Sequence, residues 1–171
     1  MTLATASTAT AQKLRNDPRA SLRTWLRLLT CTNLVEREVR GRLRDQFDTT
    51  LPRFDVLAQL DAAARESKAE LTMSDLSRRL MVTNGNLTSL IGRLVREGLV
   101  KRETLSTDRR TQIVRLTAAG KRSLDAMTSE HQQWIDSLFS ELTSADRARL
   151  FELLGKLKTS VQNSLAEERE K

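Results

Sequence analysis

The stretch from Leu71 to Gly120 most constrains what this chain can fold into, because its start and stop signals are too closely spaced for anything but short elements. Thr72-Met73-Ser74-Asp75 reads as a capping box with Asp in place of Glu, and predicts a short helix to Leu80. Met81-Val82-Thr83 leaves room for a tight turn. Thr83 then caps a helix from about Asn84 to Glu97, and Gly98 closes it. Two short strands follow, Val100 to Thr104 and Gln112 to Leu116, around a polar loop at 105–111. In the second strand Val114 and Leu116 alternate with Ile113 and Arg115, the period of a half-buried hairpin. Thr117 caps the next helix.

The flanks are of a different kind. After Asp17-Pro18, apolar residues recur at helical spacing: Leu22, Trp25, Leu26 and Leu29, then Leu28, Val35, Val39, Leu43 and Phe47. They occupy more than one face, so this helix is expected to touch both its own domain and a partner. Leu51-Pro52 starts a new helix, with Pro52 suited to its first turn. Beyond Thr117, a stripe of Leu124, Met127, His131, Trp134, Leu138 and Leu142 marks one long helix. Thr143-Ser144-Ala145-Asp146 is a second capping box. It opens a last helix with a heptad-like seam of Leu150, Leu154, Leu157, Val161 and Leu165.

Charge separates the two kinds of region. The chain has 171 residues and a net charge of +7. Between Thr72 and Arg122 there are 11 Lys or Arg against 4 Asp or Glu, while the rest of the chain holds 18 of each. The whole excess therefore lies on the short-element block, the footprint of a module that binds a polyanion. A solvated basic face with no partner is the competing reading of charge alone.

The order short helix, turn, second helix, basic hairpin resolves this in favour of duplex DNA. It is the order of a winged helix-turn-helix, in a mainly α fold with long N- and C-terminal dimerisation helices. One helix fits the major groove, where base edges carry the sequence information. The second helix offers Asn84, Gly85, Asn86, Thr88 and Ser89 near its N-terminus, then Arg93 and Arg96 on later turns. Asn suits adenine, Thr a thymine methyl, Arg guanine or phosphate. Ser74 and Thr83, at the two helix starts, complete this set. The hairpin tip Asp108-Arg109-Arg110 is expected to place an Arg in the adjacent minor groove, with Asp108 aiming an Arg or closing the turn.

The run from Leu71 to Gly120 resembles the DNA-binding core of the MarR family. The resemblance rests on Leu76-Ser77, Leu90, Leu94, Gly98-Leu99-Val100, Arg102, Asp108-Arg109-Arg110 and Val114 through Gly120. It extends over roughly residues 21–165. It implies a homodimer in which the first helix and the last two interlock, with Leu22, Leu26, Leu150, Leu154, Leu157 and Val161 at the interface. It also implies two winged lobes on a near-palindromic operator, and a small-molecule effector bound between the dimerisation helices and the lobe. Gly92 departs from the family, many of whose members carry an acidic residue there.

A narrower resemblance joins Leu51-Pro52-Arg53-Phe54-Asp55 to the run from Met73 to Asn86. Both are similar to regulators of hydroxycinnamate catabolism, which repress degradation genes until p-coumaroyl-CoA or feruloyl-CoA binds. An anion bound near a basic lobe competes with DNA. Arg37, Arg40, Arg44 and Arg53 would meet its phosphates, and Trp25, His131 and Trp134 its aromatic part. The same arginines also read as surface charges balancing Glu36, Glu38, Asp45 and Asp48, and the two tryptophans as core. Another phenolic or oxidative signal, or sequence-independent coating of nucleic acid, are the alternatives.

Other classes are poorly supported. No Gly-rich phosphate loop, paired Cys ligands or nucleophile elbow is present, so an enzyme is not expected. One His excludes a His-rich metal site, and no cofactor is expected. The single cysteine, Cys31, reads as a buried free thiol in a reducing, cytoplasmic setting rather than a redox sensor. No apolar stretch is long enough for a membrane span. The expected division is a disordered tail at 1–18, a dimerisation helix at 19–50, the winged domain at 51–120, dimerisation helices at 121–166 and a frayed end at 167–171.

Overall fold

A computed structural model describes residues 17–66, 71–105 and 108–169, without the side chains of Leu105, Asp108, Arg109, Arg110 and Arg169. The elements are α1 (Ala20–Phe47), α2 (Leu51–Arg65), β1 (Leu71–Thr72), α3 (Met73–Leu80), α4 (Asn84–Arg96), β2 (Val100–Leu105), β3 (Asp108–Leu116), α5 (Ala118–Leu138) and α6 (Ser144–Arg169). The fold is mainly α with one small antiparallel sheet, as a winged helix-turn-helix requires. The chain divides into two compact units between Ser129 and Glu130, and α5 runs through the division.

The first unit holds the winged lobe. Asp17 accepts hydrogen bonds from the Arg19 backbone N–H at 2.8 Å and from the Arg23 guanidinium at 2.9 Å, so it belongs to the start of α1. The rest of the expected tail, through 16, lies outside the described residues. Helix α1 buries Val39 and Leu43, whereas Leu22, Trp25, Leu26, Leu29 and Leu34 of its N-terminal half are exposed. It ends at Asp48, whose left-handed backbone (φ 47°) returns its N–H to the Arg44 carbonyl. Pro52 lies in the first turn of α2, where its missing N–H costs nothing.

The capping box forms as expected. The Thr72 hydroxyl accepts from the Asp75 N–H at 3.1 Å while the Asp75 carboxylate accepts from Thr72, which holds that carboxyl below its usual range. Strand β1 was not expected. It pairs Leu71 with Val114 and Thr72 with Ile113, which makes β3 the central strand in the order β1-β3-β2. Ile113 and Val114 are both buried, although neighbours on a strand point to opposite faces. The base of the hairpin is thus covered on both sides, and the half-buried alternation read from the sequence fails there. The core is built from Val56, Leu57 and Leu60 of α2, Leu76 of α3, Leu87, Ile91 and Leu94 of α4, Val100 of β2 and Val114 of β3, with Leu124 and Met127 of α5 also buried.

In the second unit Trp134 is buried, and Thr143 caps α6 through a reciprocal pair with Asp146, the second capping box. Helix α6 continues through Arg169, past the expected fraying point at Glu167; Ala, Glu and Arg are all good helix formers. Leu150, Leu154, Leu157, Val161 and Leu165 are 36–53% exposed. Cys31 is exposed, not buried, like its neighbours Leu29 and Leu34 on α1. Among the described residues, no helix is long and apolar enough to cross a membrane.

Candidate nucleic-acid interface

Helix α4 presents two faces. Leu87, Ile91 and Leu94 have no exposed surface and anchor it to the lobe; burying each contributes about 1.5–3 kcal/mol. The other face exposes Asn84, Gly85, Asn86, Thr88, Ser89, Arg93 and Arg96. All seven residues singled out on this helix are therefore accessible together. Arg93 donates to the Ser89 hydroxyl at 3.4 Å, which draws its guanidinium along the helix. A side chain at Gly85 would meet open space, so packing within the chain does not demand glycine there. A Cβ at Gly92 would lie 3.9 Å from the Arg96 guanidinium, so Arg96 passes over this position.

The N-terminal end of α4 is fixed by its cap and by the turn before it. Thr83 accepts from the Asn86 N–H at 3.4 Å. The Ser77 hydroxyl donates to the Val82 carbonyl at 2.7 Å and ties α3 to the turn. Met81, in that turn, is left-handed (φ 53°) and 91% exposed. Ser74 is exposed one residue into α3. Thus Ser74, Thr83 and the polar face of α4 all face solvent.

The C-terminal end of α4 is held more firmly. Gly98 (φ 72°) donates to the Val95 carbonyl at 3.0 Å and Leu99 to that of Leu94 at 2.9 Å, a Schellman closure. The Thr117 hydroxyl donates to the Gly98 carbonyl at 2.6 Å and accepts from the Gly120 N–H at 3.0 Å. A Cβ at Gly120 would lie 1.9 Å from the Leu99 carbonyl oxygen, so only glycine lets α5 start against this turn. From the other side Arg53 of α2 makes a bidentate ion pair with Glu97, its Nη1 at 3.0 Å from Oε1 and its Nη2 on Oε2. In the middle of the helix, Arg102 of β2 donates to the Thr88 carbonyl at 3.3 Å. These supporting contacts were missed as functional, although Arg102, Thr117 and Gly120 stand within the motif that carries the resemblance.

The hairpin carries its own charge ladder. Lys101 and Arg115 face each other across β2 and β3, and Glu103 pairs with Lys101 at 2.6 Å and with Arg115 at 3.3 Å. That pairing lowers the Glu103 carboxyl below its usual value and relieves like-charge repulsion between the two cations. At the tip, Asp108, Arg109 and Arg110 lie at the start of β3, and their side chains lie outside the described residues.

Within the first unit, the arginines expected to meet an effector divide between two places. Arg37, Arg40 and Arg44 share a face of α1 and line an open depression of about 390 Å³ with Asn33, Glu36 and Gly41. Arg40 there is paired with Glu36 at 2.7 Å. Beside this face Asp55 is pushed up to about 6, by burial first and by Glu36 next, with Arg40 opposing. Arg53 is engaged with Glu97 instead. Trp25 is exposed on the apolar half of α1 rather than in a core. In the second unit His131 stacks on Trp134 at 6.0 Å between ring centroids, and burial lowers its pKa.

Comparison with known proteins agrees with this geometry. The model of the MarR family matches residues 47–111. An uncharacterized HTH-type transcriptional regulator of Bacillus cereus is 30% identical over 146 residues, spanning 84% of this chain and 93% of that protein. A mutant of MarR from Escherichia coli, solved in complex with operator DNA, is 28% identical with a TM-score of 0.70, covering 83% of this chain and 99% of that one. AbsC of Streptomyces coelicolor shares the fold at 22% identity and a TM-score of 0.73, over 86% of this chain and 97% of its own. With the family model matched across α2 to the hairpin, a 30% identical relative over most of its length and the shared fold, the chain belongs to the MarR family of transcriptional regulators.

Proposed function

We propose that the chain is a homodimeric repressor that binds a near-palindromic operator and is released by an aryl-CoA thioester, p-coumaroyl-CoA or feruloyl-CoA, so as to control hydroxycinnamate catabolism genes. The observation that carries the DNA-binding part is the polar and basic face of α4, from Asn84 to Arg96, on a helix that Leu87, Ile91 and Leu94, all fully buried, anchor to the lobe. That helix enters the major groove, and Arg109 or Arg110 reaches the adjacent minor groove. The exposed apolar residues of α1 and α6 support the dimer, since they form surfaces that a single chain leaves to water. Arg37, Arg40 and Arg44, side by side on α1, support an anionic effector.

The test is selection of duplexes from a random library by the full-length protein, followed by fluorescence anisotropy. The selected site should bind roughly 10³-fold or more tightly than a scrambled duplex. Equal affinity would reduce the protein to a sequence-independent nucleic-acid binder. Adding p-coumaroyl-CoA should then release the DNA where free coumarate and CoA do not. Retention of DNA with every thioester tried would leave the regulator standing and remove the effector.

A further inference from the structure

Arg53 and Glu97 each sit at the wrong end of a helix. Arg53 lies in the first turn of α2, where the backbone already presents unpaired N–H groups and positive potential. Glu97 is the C-cap of α4, where the unpaired carbonyls present negative potential. Either charge alone would be opposed by its own helix. Together they form a two-pronged pair, with Arg53 22% and Glu97 39% exposed, between residues 44 apart in sequence. Arg53 Nε is buried and has no hydrogen-bond partner among the described residues, so the fork on Glu97 is what holds this guanidinium.

We propose that the Arg53–Glu97 pair is a positioning clamp that sets the angle of α4, and hence sequence discrimination, without touching DNA. The inference rests on the reading of α4 as the helix that enters the groove. The pair acts at the same end of α4 as the Thr117–Gly98 hydrogen bond and the close approach of Gly120 to Leu99. That end is therefore gripped by α2 on one side and by α5 on the other. The reading end, at Asn84 and Asn86, lies 13 residues away, about 20 Å along the helix. A tilt of about 5° at the gripped end displaces the far end by about 1.7 Å, enough to break base-edge hydrogen bonds, whose heavy-atom range spans about 0.5 Å. Contacts to phosphate by long, flexible side chains tolerate such a shift, so the clamp governs specificity more than bare affinity.

The experiment uses the full-length protein and a duplex of roughly 30 base pairs selected by the wild type from a random library, with a scrambled duplex of the same composition as control. Charge alone predicts that Glu97→Gln binds all DNA more tightly, because it removes a negative charge. The clamp predicts the opposite for the selected site: a loss of about tenfold or more, with scrambled binding unchanged or tighter. Arg53→Lys keeps the charge and loses the fork, and should lower the ratio of selected to scrambled affinity in the same way. The exchange Arg53→Glu with Glu97→Arg restores the pair and puts each charge at the helix end that favours it, so discrimination should return. Melting temperature and sedimentation confirm folded dimers, and the exchange variant decides the matter if a single variant is unfolded. A selected-to-scrambled ratio within twofold of wild type in Glu97→Gln and Arg53→Lys, or no recovery in the exchange, overturns the clamp. A wild type that does not discriminate at all overturns the reading of α4 beneath it.

Discussion

Helices α4 and α6 are both built on leucine-rich apolar repeats, and they end in opposite situations. Leu87, Ile91 and Leu94 of α4 are completely buried, because α3, β2 and the rest of the lobe fold onto them within the chain. The apolar residues of α6 stay 36–53% exposed, and Phe151 stands 81% exposed. A leucine fully removed from water contributes about 1.5–3 kcal/mol, so the five half-exposed seam residues leave several kcal/mol unrealised. The lobe is thus complete in one copy, whereas α6 has the surface of half an interface. The division of labour follows. Under the function proposed above, the self-sufficient helix spends its polar face on DNA, and the incomplete helix is covered by a second chain.

The comparison breaks most visibly on α6. Leu157→Asp or Val161→Asp puts a charge into the seam and should weaken the dimer on the order of 100-fold or more, lowering operator affinity by mass action. Sedimentation showing an unchanged dimer would move the interface elsewhere. On α4, Ile91→Ala should cost about 3 kcal/mol of stability in urea unfolding, because the site has no exposed surface and no room to collapse without shifting Leu87 and Leu94. A cost below about 1 kcal/mol would show that the lobe's core is looser than full burial implies.

Two smaller effects sharpen the contrast. Arg109→Ala should lower operator affinity by about 1–3 kcal/mol while leaving the dimer and the melting temperature unchanged, and no change in affinity would demote the tip to solvated surface. Asp55 is a cost inside the lobe. Its folded pKa of about 6 lies above the ordinary 3.8, so the folded state binds the proton more tightly than the unfolded one. Its contribution to stability is full below the ordinary value and is lost as pH rises through about 6. Asp55→Asn should therefore stabilise the protein by about 1 kcal/mol near pH 8, after discounting for solvent screening of a half-exposed group, and by little near pH 4. A gain equal at both pH values would mean that the carboxylate's charge is not the cause.

Local chemistry was legible in the sequence and distant pairing was not. Both capping boxes, the Gly98 closure, the turn at Met81-Val82-Thr83 and the hairpin follow from residues within a few positions of one another. Strand β1 escaped because its two residues become a strand only through Ile113 and Val114, some forty residues on. The Arg53–Glu97 pair escaped for the same reason, although a cation in a first turn and an acid at a helix end are a signal that could have been read. Periodicity placed Trp25 and Trp134 on helical stripes and Cys31 in an apolar helix, but neither says whether the cover comes from the same chain. Trp134 has its cover, while Trp25 and Cys31 do not. For the candidate site, residue type and spacing picked out a set on α4 that the fold exposes together. The arginines of α1 and α2 look alike in sequence, yet Arg53 is spent on Glu97 and Arg40 on Glu36.

The absent side chain of Gly120 has a consequence for how this protein can change. At 1.9 Å from the Leu99 oxygen, even one methyl group cannot be absorbed by a rotamer shift, since its neighbour is backbone. Alanine there would be a wedge of fixed thickness, driven between the first turn of α5 and the turn that closes α4. The exposed polar residues of α4 lie away from this joint and can be exchanged without meeting it, whereas the joint itself admits one residue only, so the tilt of α4 is held fixed while its surface is free to change.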